Sequence, residues 1–136
     1  MTRTGTTTFA TDFPAVVSTC CGGDSDTRDI WFRFKATCTN GIPLVADIST
    51  CHAATSFDTV LTVFSGTCEN LTEVACNDDA TAPGCQNELG LNRKSKIIFV
   101  PSQGQTYYVR LAGFGGAQGS YQISFSTVCQ AGPLPR

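Results

Sequence analysis

The stretch Ser56-Phe-Asp-Thr-Val-Leu-Thr-Val-Phe-Ser-Gly-Thr-Cys-Glu-Asn-Leu-Thr-Glu-Val-Ala-Cys-Asn-Asp-Asp79 decides the fold. Its first half, "DTVLTVF" (58–64), is apolar on both faces of an extended chain, the pattern of a strand covered on both sides. Ser65-Gly66 turns the chain, and "LTEVAC" (71–76) returns it as the second arm of a hairpin. Antiparallel return sets Asn77, Asp78 and Asp79 beside Asp58, where the first arm began. These four residues are either Asx-turn chemistry at strand ends or the oxygen donors of a metal site.

Outward from the hairpin the same extended character recurs, with Gly, Pro, Asn and Asp between the runs. "WFRFKAT" (31–37) alternates Phe32 and Phe34 with Arg33 and Lys35. "PLVADIS" (43–49) sets Leu44, Ala46 and Ile48 on one face, after the tight turn Asn40-Gly41. "KIIFV" (96–100), "QTYYVRLAG" (105–113) and "SYQISFS" (120–126) complete the series. Seven or eight short strands separated by turns predict an all-β fold, an antiparallel β-sandwich. The inward set is Phe32, Phe34, Leu44, Ile48, Val60, Leu61, Val63, Ile97, Phe99, Val109, Leu111, Tyr121, Ile123 and Phe125. Residues 1–28 read as an N-terminal arm with the first strand or strands, 29–129 as the sandwich, and 130–136 as a tail or linker. The longest gap without strand character, 77–95, is a loop of the length that in compact domains tends to be functional or disordered.

Eight cysteines in 136 residues, with one histidine and no C-x-x-C, point to a disulfide framework rather than a zinc site, hence to an extracellular or cell-surface location. Cys68 and Cys76 flank one hairpin and are expected to bridge it. Cys51 with Cys85 would tie the long loop beside the Asp58 rim. Cys38 is set with Cys129 without a geometric reason, and Cys20-Cys21 receive no partner. Asn70-Leu71-Thr72 is a glycosylation sequon, a triplet that also arises often by chance. The opening "MTRTGTTTF" has no apolar signal core, so the chain is expected to be an excised or processed piece of a longer protein.

A net charge of −2 with 15% charged residues argues against nucleic-acid binding, and no run is long enough to span a membrane. Catalysis has little to work with. His52 adjoins the expected half-cystine Cys51, no G-x-S-x-G elbow occurs, and no carboxylate among Asp58, Asp78, Asp79 and Glu88 is marked as a general acid. A non-enzymatic role is therefore expected. Three carboxylates within about 6 Å repel one another unless a cation joins them. The expected cofactor is calcium, held by Asp58 and one or both of Asp78 and Asp79, with backbone carbonyls and Asn77 completing the shell. Among the aromatics, Phe114 in "GFGGAQG" is a candidate to project from its loop, and with Tyr108 it marks a candidate ligand face; the alternative for Phe114 is a plug at the end of the sandwich.

"DIWFRFKA" (29–36), "SFDTVLTVFSG" (56–66), "ACNDD" (75–79) and "GQTYYVRLAGFGGAQGSYQISF" (104–125) together resemble the bacterial pre-peptidase C-terminal domain, in its cysteine-rich secreted version. That family's pattern runs D-V-W-Y-R-F, F-D-T-x-L-x-V-Y, N-D-D, A-G-T-T-Y-Y-I-R-V-G-G-F, and the resemblance covers about residues 29–126 in order. It implies a jelly-roll-like sandwich, secreted and non-catalytic, with relatives that bind calcium and collagen or are suspected of binding polysaccharide. By position, Asp58 matches the Asp of F-D-T, and Asn77, Asp78 and Asp79 match N-D-D. The sequence departs from the pattern at "ATAPGCQNELGLNRKSK" (80–96), where the family has a short glycine-rich link. Two functions follow as expectations. One is a module binding polysaccharide or an extracellular matrix or surface protein. The other is a structural subunit of an extracellular assembly, its "TRTGTTTF" arm adding as a strand to a neighbouring copy.

Overall fold

The hairpin of residues 59–77 forms two neighbouring strands of one sheet, the first central and the second at its edge. The computed structural model describes residues 1–8, 10, 27–39, 41–67 and 69–131. They form eight strands: β1 (Thr2–Thr6), β2 (Thr27–Lys35), β3 (Gly41–Ser49), β4 (Thr59–Thr67), β5 (Asn70–Asn77), β6 (Lys96–Phe99), β7 (Thr106–Gly113) and β8 (Ser120–Ala131). Two four-stranded antiparallel sheets result, ordered β1-β8-β3-β6 and β2-β7-β4-β5. Among the described residues no helix is long and apolar enough to cross a membrane.

The period-2 pattern explains the core. Leu61 and Val63 of β4, Val109 and Leu111 of β7, Ile48 of β3, Ile97 of β6 and Tyr121, Ile123 and Phe125 of β8 are buried between the sheets. Phe32, Phe34 and Phe99 pack against them, with Phe32 edge-on to Tyr121 at 5.9 Å and Phe34 stacked on Tyr107 at 5.5 Å. Val60 departs from the expected inward set: it alternates with Leu61 and Val63 and so lies on the outer face with Thr62 and Phe64, where all three are buried nonetheless. The β4–β5 connection follows Thr67, later than the Ser65-Gly66 position expected, because Ser65 and Gly66 still pair with Thr72 and Leu71; Gly66 takes φ +98°, and a Cβ there would collide with the Asn70 carbonyl.

Leu44 departs from expectation. The pairing of β3 with β8 jumps between Pro43↔Cys129 and Val45↔Val128, so Leu44 is the extra residue of a bulge. Strict alternation fails there, and Leu44 is 41% exposed while Ala46 and Ile48 stay buried.

The Thr-rich arm supplies β1, which lies on this chain's own β8, Thr4 opposite Gln122 and Gly5 opposite Tyr121. All five β1 residues are exposed, so main-chain hydrogen bonds rather than apolar burial hold the strand. Thr7 anchors its end, giving its N–H to the Gly119 carbonyl at 2.9 Å and accepting the Gly119 N–H at 3.1 Å. Gly5 admits the Tyr121 ring, because a Cβ at that position would lie 2.6 Å from the phenol oxygen. Gly5→Val is expected to cost about 1–3 kcal/mol, as overpacking does, and to release the first five residues. Faster amide exchange at β8 positions 120–124 in the variant would register that release; unchanged exchange would count against it.

Candidate metal centre

Register builds the rim. Leu61 opposes Asn77 across β4 and β5, so Asp78 and Asp79, continuing past the end of β5, run back alongside the start of β4 toward Asp58. One oxygen from each of Asp58, Asp78 and Asp79 lies within 4.8 Å of the others. Asp58 and Asp78 are half-buried and Asp79 is exposed.

A buried hydroxyl cluster fixes the backbone beneath these side chains. Ser95 Oγ lies 2.6 Å from both the Thr59 and Asp78 carbonyl oxygens, and its single hydrogen is shared between them. Thr59 donates to Ser95 Oγ at 3.1 Å, and Thr50 Oγ1 meets Thr59 Oγ1 at 2.8 Å and accepts the Ser95 N–H at 2.9 Å. The Ala80 N–H to Lys94 carbonyl bond (2.8 Å) and the Thr59 N–H to Arg93 carbonyl bond (3.0 Å) clamp the long loop across both acidic segments. The Cys51–Cys85 disulfide fastens that loop to the end of β3. The loop has internal order of its own: Asn87 Oδ1 accepts the Leu89 and Leu91 N–H groups, and Gly90 takes φ +75°.

The donor set is hard oxygen throughout, which suits Ca²⁺ rather than a thiophilic metal. Ca–O distances of about 2.3–2.6 Å allow two ligands of one ion to stand up to about 5 Å apart, so the observed spacing fits. Arg93 reaches Asp58 Oδ2 at 3.5 Å, but its side chain is 46% exposed. Lys94 instead donates to the His52 carbonyl at 2.7 Å and Lys96 pairs with Asp47 at 2.9 Å. Asn77, the fourth expected donor, has its amide oxygen accepting the Lys96 N–H at 3.0 Å, which ties β5 to β6.

Beside Asp58 an open groove of about 470 Å³ runs between residues 53–58 and 87–94, with Phe57, Glu88, Leu89 and Arg93 in its walls. Neither the groove nor the Thr50–Thr59–Ser95 cluster had a local sequence signal. Phe114 and Tyr108 stand apart on the fold. Phe114, 45% exposed, begins a short 3-10 turn, Phe114–Gly116, and its N–H bonds the Asp58 carbonyl at 3.0 Å. Tyr108 lies six residues earlier, roughly 20 Å along β7 at strand rise.

Cys38 is bonded to Cys129 and Cys51 to Cys85. Cys76 is disulfide-bonded as well. Cys68, its expected partner, lies outside the described residues, as do Cys20, Cys21 and the tail from residue 132. The single histidine, His52, places Nε2 3.1 Å from Ser124 Oγ. No protein-family model matches the chain, and no curated protein is significantly similar to it in sequence.

Proposed function

We propose that the chain is a non-catalytic module of a secreted or cell-surface protein, stabilised by calcium and binding polysaccharide or an extracellular matrix protein. The observation that carries the reading is the convergence of Asp58, Asp78 and Asp79 on one rim, over a backbone locked by buried hydroxyls. Asp58, Asp78 and Asp79 would hold the ion, which would neutralise their mutual repulsion and cross-link the start of β4 to the end of β5. The disulfides favour an oxidising compartment. The resemblance to pre-peptidase C-terminal domains supports the same reading through "FDT" and "NDD".

A cation that binds only the folded chain stabilises it by mass action, about 2.7 kcal/mol at a hundredfold excess over its dissociation constant. Millimolar Ca²⁺ should therefore raise the melting temperature of chelator-treated protein, and EDTA should reverse the rise. Asp58→Ala and Asp78→Ala should each abolish the Ca²⁺-dependent difference, whatever they do to the baseline. Identical melting with and without Ca²⁺ would reduce the rim to turn chemistry.

A further inference from the structure

We propose that the outer face of β2 and β7, around Arg33, Lys35 and Tyr108, is where the module binds its ligand, and that the ligand is an acidic polysaccharide carrying carboxylate or sulfate groups. The proposal deepens the binding-module reading and rests on it, while needing nothing from the calcium rim.

The face follows from register. Phe32 and Phe34 point into the core, so Arg33 and Lys35 point out, about 7 Å apart along the strand. Arg33 stands directly opposite Tyr108, and Lys35 directly opposite Thr106. Together these four side chains and Phe34 line a hollow of about 360 Å³. Both cations are exposed, and among the described residues neither takes part in an ion pair. Among the described residues no acidic side chain lines the hollow, so it concentrates positive charge on a chain whose net charge is −2.

The chemistry selects an anion with a sugar attached. A guanidinium receives a carboxylate or sulfate through paired, charge-assisted hydrogen bonds, and the ammonium adds a point charge two residues on. The half-buried Tyr108 ring opposite Arg33 offers an apolar surface for a sugar ring. Two cations on an acidic chain are too few for a nucleic acid, whose affinity grows with the number of phosphates neutralised. β7 runs from this hollow at Thr106 to the calcium rim, where Gly113 pairs with Thr59. The two sites therefore occupy opposite ends of one strand.

The test is native gel retardation of the full chain in gels containing dextran sulfate, uncharged dextran, polygalacturonate, cellulose derivatives or single-stranded DNA. Matrix proteins are probed in parallel on coated plates. Dextran sulfate and polygalacturonate should retard the protein and uncharged dextran should not. The double variant Arg33→Gln/Lys35→Gln, checked for unchanged melting, should weaken retention about tenfold or more, and Arg33→Lys should restore part of it. EDTA should leave retention intact below the melting temperature. Equal retention by neutral and acidic glycans overturns the proposal but keeps the module reading, as does binding to matrix protein alone. Retention untouched by the double variant, or matched by DNA, overturns the proposal; binding to no glycan and no matrix protein overturns the module reading as well.

Discussion

Replacing Cys38 and Cys129 together by serine is expected to destabilise the domain by about 4–5 kcal/mol. Their bond closes a loop with a sequence separation of 91 residues, and the chain-entropy relation assigns a loop of that length about 4.6 kcal/mol. Much of this acts on the unfolded chain, which the bridge holds compact. In the folded state the bond joins the exit of β2 to Cys129 near the end of β8, and so links one sheet to the other. Gln103 reinforces the junction, its amide accepting the Cys38 N–H and donating to the Cys38 carbonyl, both at 3.0 Å. Urea denaturation should show a lower midpoint and a steeper slope, because the freed chain exposes more surface on unfolding. A loss below about 1 kcal/mol would mean that the bridge constrains the unfolded chain far less than its loop length implies.

What could be read from sequence separates cleanly by the distance over which residues interact. Strand positions and most of the core follow from alternation, a property of neighbours; they fail at Leu44, where a bulge inserts one residue into the count, and at Val60, whose alternation with Leu61 turns it outward. The acidic rim was legible because Asp58 and Asp78-Asp79 flank a single hairpin whose geometry is nearly fixed by its turn. The hydroxyl cluster beneath it was not. Thr59 and Ser95 are 36 residues apart, and nothing local distinguishes them from the many surface Thr and Ser of this chain. The docking of β1 on β8 joins the two ends of the sequence, a matter of topology that no window of residues reveals. The spacing of the two candidate ligand residues was not legible either. Phe114 and Tyr108 are near in sequence, but an extended strand carries near neighbours far apart, and the partners that matter to Tyr108 lie across the sheet on β2.

Arg110 shows the same limit and yields the sharpest test of the outer face. In "TYYVRLAG" the alternation turns Arg110 away from the core, where a solvated charge is the ordinary outcome. The structure buries it. Arg110 Nε donates to Asp29 Oδ2 at 2.8 Å, with side-chain exposures of only 4% and 1%. Asp29 opens the "DIWFRFKA" strand at an irregularity in the β2–β7 register, which brings its carboxylate across to β7. Desolvating two such charges is so expensive that their attraction roughly offsets it, whereas removing one strands the other. Asp29→Ala is therefore expected to cost about 3–5 kcal/mol. Arg110→Met alone should also be severe, and the double variant Asp29→Ala/Arg110→Met should lose less than the two single changes added together. That non-additivity, measured by denaturation of all four proteins, is the diagnostic result. Because Arg110 is two residues from Tyr108 on the same face, Asp29→Ala should also weaken acidic-glycan retention, and retention in the double variant should follow its stability. A loss of less than about 1 kcal/mol in Asp29→Ala would show that the guanidinium is solvated and that the pair behaves as a surface ion pair.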